Sequence, residues 1–309
     1  MADTPETTKK TGWYQKVRDI DRRIIFLFIA LAVIIPLLLQ PSFPEFPAQL
    51  VKDTFAEMDK LPEGSKILMA FDYDPASEPE LQPMATVWTR HAFENKLKIY
   101  IVALWPLGQN MAEDTLNELL KEYPDRKYGV DYVNLGFKSG GQGVINVILT
   151  DFAKMYPTDV YNKPLSQIPI MKDVKSIKDM DLIINISAGF PGLKEWVQFG
   201  ADPAGVRIIG GSTAVQAPLL YPYIPNQLHG LLGGLKAAAE YEELADRKLC
   251  GMKCGQDAEC IDSCIKEYAK RDKGKVRMGA QAIAHMVIMA FIIIGNITFF
   301  IDRRRERKG

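Results

Sequence analysis

The chain has 309 residues, of which 38 are basic and 38 acidic, so its formal net charge is zero. With that balance the basic footprint of a nucleic-acid-binding protein is not expected. The length allows one large domain with appendages, and the apolar residues gather in two blocks, one near each end.

The first block, Ile24–Leu39, is sixteen uncharged apolar residues followed by Gln40 and Pro41. It is slightly shorter than the roughly 17–25 residues of a membrane-spanning helix. A secretory signal peptide is the alternative. The PSFPEFP that follows has no small-x-small cleavage pattern, which favours a retained anchor. Lys9, Lys10, Lys16, Arg18, Arg22 and Arg23 precede the block, and only Lys52 follows closely. The positive-inside rule therefore places the N-terminus in the cytoplasm. Residues 1–12 are polar and expected to be disordered, and Trp13 and Tyr14 are candidates for an interfacial aromatic pair.

After a proline-punctuated spacer, Leu50–Leu61 reads as a short amphipathic helix with Val51, Phe55 and Met58 at helical spacing. Strands are then expected at Lys66–Tyr73, Leu97–Trp105, Val130–Phe137, Asp181–Ile186 and Val206–Ile209. Helices are expected at Ser77–Asn95, Ala112–Tyr123, Gln142–Met155 and Leu193–Phe199, with an irregular insert at Tyr156–Lys178 and a long closing helix from about Asn226 to Leu249. Five nearly continuous apolar strands alternating with helices predict an α/β domain with a mostly parallel, doubly wound sheet, flavodoxin-like or periplasmic-binding-like.

The second apolar block, Ala280–Ile301, carries Gln281, His285, Asn296 and Thr298 but no formal charge, and stops at Asp302-Arg303-Arg304-Arg305. It shows no polar face at helical spacing, so it predicts a second transmembrane helix. Two spans return the basic tail to the cytoplasm. Against this orientation stand Lys270, Arg271, Lys273, Lys275 and Arg277, which fall just outside the second span. The expected organisation is a cytoplasmic segment at 1–23, a span at 24–40, a spacer and short helix at 41–65, and an extracytoplasmic domain at 66–249. A cysteine hairpin with a basic linker follows at 250–278, then a span at 279–301 and a cytoplasmic tail at 302–309.

Ligands of such sheets sit beyond the carboxyl ends of the strands. Those ends carry FDYDP, LWPLG, GFKSGGQG, SAGFPG and GGSTAV. Candidate ligand-binding residues are therefore Asp72, Asp74, Lys138, Ser139, Gly140, Gly141, Gly143, Ser187, Ser212 and Thr213, with an anionic small molecule as the ligand. The alternative is that the glycines only make tight turns. Asp72 and Asp74 are either paired carboxylates or, with Asp74 before Pro75, a helix start. The segment 138–143 is neither a P-loop nor a G-x-G-x-x-G fingerprint, and no G-x-S-x-G elbow is present. His91, His229 and His285 lack metal-ligand spacing, so no metal and no cofactor is expected, and catalysis has little support.

All four cysteines fall in Cys250-x3-Cys254-x5-Cys260-x3-Cys264. A helical hairpin turning at 256–258 would pair Cys250 with Cys264 and Cys254 with Cys260 as disulfides, in keeping with an extracytoplasmic domain. A four-thiolate metal site is the alternative, although its usual spacing is C-x2-C. Gly230, Gly233 and Gly234 in the expected closing helix imply close approach of another backbone, from the chain's own sheet or from a partner subunit. His285 and Asn296 suggest burial of the second span against a partner helix.

The strings FDYDPASEPELQPMA, DYVNLGFKSGGQGVI, SAGFPGLKEWVQ and LLGGLKAAAEYE resemble an uncharacterised group of bacterial two-anchor membrane proteins, over about residues 20–250. The resemblance implies a bacterial source and the same layout, supplies no activity, and does not extend to the cysteine hairpin. The expectation is a non-catalytic assembly or accessory subunit of a larger complex in the cell (inner) membrane. Its partners would be the lipid bilayer and either further copies or other membrane proteins. The alternative is an anion-binding module.

Overall fold

A computed structural model describes residues 21–39 and 43–307. The polar segment 1–12, the pair Trp13 and Tyr14, and Lys9, Lys10, Lys16 and Arg18 lie outside the described residues. In chain order the principal elements begin with helices α1 (Arg22–Leu39) and α2 (Gln49–Asp59), then β1 (Lys66–Asp72), α3 (Glu78–Glu94), β2 (Lys98–Ala103) and α4 (Gly108–Glu122). There follow β3 (Tyr132–Phe137), α5 (Gln142–Ile148), β4 (Leu182–Ser187), β5 (Arg207–Ser212) and β6 (Gly230–Gly233). The chain closes with α6 (Gly234–Cys254), α7 (Ala258–Tyr268) and α8 (Lys273–Glu306). Among the described residues two compact units result: 43–275, and 21–39 with 276–307. The short helix α2 and the cysteine hairpin thus belong to the domain unit, outside the 66–249 expected from sequence.

Within the domain unit six strands form one sheet in the order β3-β2-β1-β4-β5-β6, every neighbouring pair parallel. Both faces are covered, which is why the strands are apolar throughout rather than alternating. Ile67, Met69 and Phe71 of β1 enter a core with Trp88 of α3 and Tyr241 of α6, while Leu68 and Ala70 enter the opposite core with Val144, Trp196 and the insert. The chain winds outward from β1 to β3 and then returns to the far side of β1. This is the order of two joined βαβαβ halves, not the 2-1-3-4-5 order of flavodoxin-like sheets.

The sixth strand corrects the sequence reading, which placed residues 230–233 in a helix. The segment GLLG forms a short edge strand, buried at Gly230, Leu231 and Leu232. A Cβ on Gly230 would lie 2.7 Å from the Thr54 Cα, so α2 sits directly on this strand. Gly234 takes φ +78°, a left-handed turn that separates strand from helix, and α6 runs on to Cys254 rather than ending at Leu249. The close approach foreseen at Gly230, Gly233 and Gly234 is therefore made by the chain's own Thr54, Ala217 and Ala214. The helix expected at 142–155 breaks after Ile148, and Asp151 caps a second short turn through the Ala153 N–H at 2.9 Å.

The hairpin of α6 and α7 brings Cys250 and Cys264, and Cys254 and Cys260, to disulfide distance, with Cα separations of 5.8 and 5.7 Å. Asp257 accepts from the N–H groups of Glu259 and Cys260 and caps α7.

In the other unit, α1 and α8 are long and apolar enough to cross a membrane. The 18 residues of α1 amount to about 27 Å, close to the roughly 30 Å of a hydrocarbon core. Phe28 and Phe291 meet with ring centroids 6.2 Å apart. His285 is exposed, and the Asn296 amide donates to the carbonyl of Ile292 at 2.9 Å within its own helix.

Three outcomes are expected. Gly230→Ala destabilises the monomeric, detergent-solubilised protein by about 1–3 kcal/mol in a denaturant titration, because the added methyl meets α2 backbone. Unchanged monomer stability would mean that the glycine serves only contacts between subunits. Replacing Cys250 and Cys264 by serine, which opens a link over 14 residues, lowers stability by about 3 kcal/mol. Alkylation without reductant should leave all four cysteines unlabelled.

Candidate functional site

The winding reverses between β1 and β4, and a doubly wound sheet opens its ligand crevice at that point. Here Asp72, the last residue of β1, is fully buried. Its Oδ1 accepts the Leu104 N–H at 2.7 Å, and its Oδ2 accepts the Asn185 amide and the Trp196 indole N–H, each at 2.7 Å. Trp196 reaches the carboxylate from the first residue of a π-helical turn, Trp196–Ala201. Burial pushes the Asp72 carboxyl up to about 7, with the three N–H donors pulling the other way and the charge of Glu195 adding to the rise. The centre of the crevice is therefore filled by the protein's own polar side chains.

The neighbouring loops close around this plug. The Trp105 indole donates to the carbonyl of Pro191 at 2.8 Å, Gly192 N–H donates to Glu195 at 2.9 Å, and Leu193 N–H donates to the Ser187 hydroxyl at 2.9 Å. Gly192 leaves no room for a side chain, since a Cβ there would stand 2.2 Å from the carbonyl of Gly189.

The other expected site residues separate. Asp74 accepts the Ser77 N–H at 3.3 Å just before α3, an ordinary turn role, and forms no pair with Asp72. No group of three or more His, Cys, Asp or Glu able to hold a metal occurs among the described residues. His91 is a core residue, stacked on Phe55 and bonded to the Tyr241 hydroxyl at 2.8 Å. Lys138, Ser139, Gly140, Gly141 and Gly143 form the turn after β3. The helix it opens, α5, has only seven residues, and the Gly143 and Val144 N–H groups are already bonded to Gly140 and Gly141. The Lys138 ammonium lies 5.7 Å over the Tyr156 ring.

Ser187 and Ser212, by contrast, are register partners on adjacent strands. Together with Gly189, Leu193 and Lys194 they line a cavity of about 70 Å³. Thr213 supplies the carbonyl that starts the next turn. The sheet order puts β3 at the edge, four strands from β5, but the turn after it reaches the loop after β4, where a Cβ on Gly141 would lie 3.5 Å from Pro191. Sequence reading missed Asn185 and Trp196. Asn185 was visible as the lone amide inside an apolar strand, whereas nothing marked Trp196.

The rim of this edge is apolar. Leu107, Phe190, Val215 and Leu219, on the segments after β2, β4 and β5, are 44%, 77%, 85% and 67% exposed.

A second polar cluster lies along α6. Glu240, Glu242, Glu243 and Asp246 are buried, as are Arg90, Asp272 and Lys275. Glu240 accepts the Ala48 N–H at 3.0 Å, and Glu242 accepts those of Gly274 and Lys275 at 3.0 and 2.8 Å. The Lys275 ammonium meets Asp246 at 2.7 Å, Glu243 at 3.0 Å and Asp272 at 3.4 Å, and Arg90 joins Asp272 to Glu122. Arg271 pairs with Glu122 and Lys273 with Glu118. Carboxylates outnumber cations in the buried part. Burial raises Glu242 to about 7 despite its backbone donors, and burial together with Glu242 and Asp246 holds Asp272 well above the usual carboxyl range.

These shifts fix a pH dependence. Asp72 and Glu242 keep a proton in the folded chain that the unfolded chain has lost near pH 4, so their contribution is complete at low pH and disappears as pH rises through about 7. His229, lowered by partial burial and Arg207, acts in the opposite sense only below its ordinary value of about 6.5. The melting temperature should therefore fall between pH 6.5 and 8.5. Asp72→Asn should flatten that fall while costing about 1–3 kcal/mol at pH 6.5, because an amide nitrogen then faces N–H donors. A melting temperature that rises over this interval would contradict the assignment. Comparison with protein-family models gives no match, and comparison with curated proteins gives none either.

Proposed function

We propose that the protein is a non-catalytic, two-anchor membrane protein that acts as an assembly or accessory subunit. It docks a partner subunit on the carboxyl edge of its sheet. The observation that carries this reading is the rim of Leu107, Phe190, Val215 and Leu219. These are large apolar side chains held in water around a crevice whose own carboxylate is turned inward. An exposed apolar cluster of this kind is characteristic of a protein–protein surface. Inaccessibility of Asp72 and the turn role of Asp74 argue against acid–base chemistry at the same edge.

The orientation read from the first anchor puts the domain on the extracytoplasmic side of a bacterial cell membrane, with both termini in the cytoplasm. Cysteine pairs at disulfide distance suit an oxidising compartment. The basic residues that contradicted this orientation are largely neutralised, since Arg271, Lys273 and Lys275 are each paired with carboxylates of the domain.

The test is native mass spectrometry of the protein extracted in detergent from its own source without reductant. Repeated copies, or stoichiometric foreign subunits, are expected. Phe190→Asp with Leu219→Asp should weaken the assembly by roughly thirty-fold, the effect of a lost interface hot spot of about 2 kcal/mol, with the melting temperature of the chain unchanged. A bare monomer from the native source would overturn the proposal.

A further inference from the structure

The cavity between the ends of β4 and β5 has a chemistry of its own. Strand alternation puts Ile183, Asn185 and Ser187 on one face of the sheet, and Ile208, Gly210 and Ser212 on the same face. Ile183 and Ile208 lie in the core that contains Leu193 and Trp196. A Cβ on Gly210 would meet the Leu193 side chain at 2.2 Å, and one on Gly192 would meet the Ser187 Oγ at 2.7 Å. Both serine side chains therefore point toward the Leu193 segment, where the cavity lies.

Their hydrogen-bond inventories differ in a useful way. The Ser187 oxygen accepts the Leu193 N–H at 2.9 Å, which leaves its own O–H as a donor. The Ser212 hydroxyl is 1% exposed and has no hydrogen-bond partner. A buried hydroxyl without a partner is unfavourable unless something in the cavity accepts from it. Lys194 stands exposed on the cavity lining, and Gln216 adds a half-buried amide. None of the side chains that line it is acidic, and the adjacent Glu195 is turned to the Gly192 N–H. Donors and one cation converge on the lining, and the two nearby acids are already engaged, Asp72 beside Ser187 with its three N–H donors and Glu195 with the Gly192 N–H.

We propose that this cavity binds a single oxyanion, a carboxylate or a phosphate-type group, through the hydroxyls of Ser187 and Ser212, with Lys194 supplying the charge. The volume of about 70 Å³ sets the class. A single water needs about 10–15 Å³ on this scale, so the cavity holds one compact polyatomic group and excludes a nucleotide. The site adjoins the proposed docking surface and shares Leu219 with it. The oxyanion is either a free small anion or a carboxylate presented by a docked partner.

The experiment titrates inorganic phosphate, and separately acetate, into the full-length detergent-extracted protein at constant ionic strength, reading the melting temperature. Wild-type protein is expected to show a saturable upward shift with at least one of the two. Lys194→Gln, an exposed change that leaves the fold intact, should weaken the apparent affinity about tenfold, as should Ser212→Val. Ser212→Val should also leave the anion-free melting temperature equal or higher, because it removes a buried hydroxyl that has no partner. A merely structural role for Ser212 would lower it. Release of a bound subunit by phosphate would identify the partner's carboxylate as the natural oxyanion, and a retained small anion in native mass spectra would identify a free one. No saturable shift with either probe, or equal shifts in wild type and both variants, would overturn the proposal. That result is separable from the docking test, since a monomer can still bind the anion.

Discussion

The buried carboxylate of Asp72 is the constraint around which the domain is arranged. An acid removed from water at the end of a central strand must find donors, and it finds them in the Leu104 N–H, the Asn185 amide and the Trp196 indole. Each comes from a different part of the chain: the exit of β2, the middle of β4 and the π-helical turn beyond it. Their convergence ties the two halves of the doubly wound sheet together at the point where the winding reverses. It also occupies the space that a ligand would otherwise take. Ser187, the register partner of Asp72 on β4, stands beside it at the same reversal.

A comparable economy governs the buried acids of α6. Isolated buried charges are unfavourable, and even paired ones add little net stability, but removing one partner of such a pair typically costs about 3–5 kcal/mol. The value of the cluster is therefore positional. Glu240 holds the backbone at Ala48, and Glu242 holds the first turn of α8 at Gly274 and Lys275, where a carboxylate also complements the positive end of the helix. One helix thus fixes both segments by which the chain enters and leaves the domain unit, and the disulfide-distance hairpin continues directly from it.

The outer surface of the carboxyl edge carries exposed apolar side chains at Leu107, Phe190, Val215 and Leu219. Phe190 follows Gly189 on a loop pinned by Trp105 and Glu195, so its exposure is a property of a fixed loop rather than of a loose one. A pinned apolar side chain loses little conformational freedom on docking, which is the property that makes such residues effective anchors.

Much of the fold was legible in the sequence because its signals are local. Continuous apolar runs identified five strands, the cysteine spacing identified the hairpin and its pairs, and the two uncharged blocks identified α1 and α8. The sixth strand was not legible: GLLG followed by an alanine-rich helix has helical spacing, and its parallel pairing with β5, distant in sequence, makes it a strand. The serines and glycines at strand ends were visible as candidates, but residue type alone cannot say which of them meet. That depends on strand order, which made Ser187 and Ser212 register neighbours and set β3, with the turn after it, at the edge of the sheet. The inward turn of Asp72, the partners of Arg271, Lys273 and Lys275, and the exposure of Phe190 likewise belong to tertiary structure. Each is settled by neighbours distant in sequence, whereas periodicity and composition report only on neighbours along the chain.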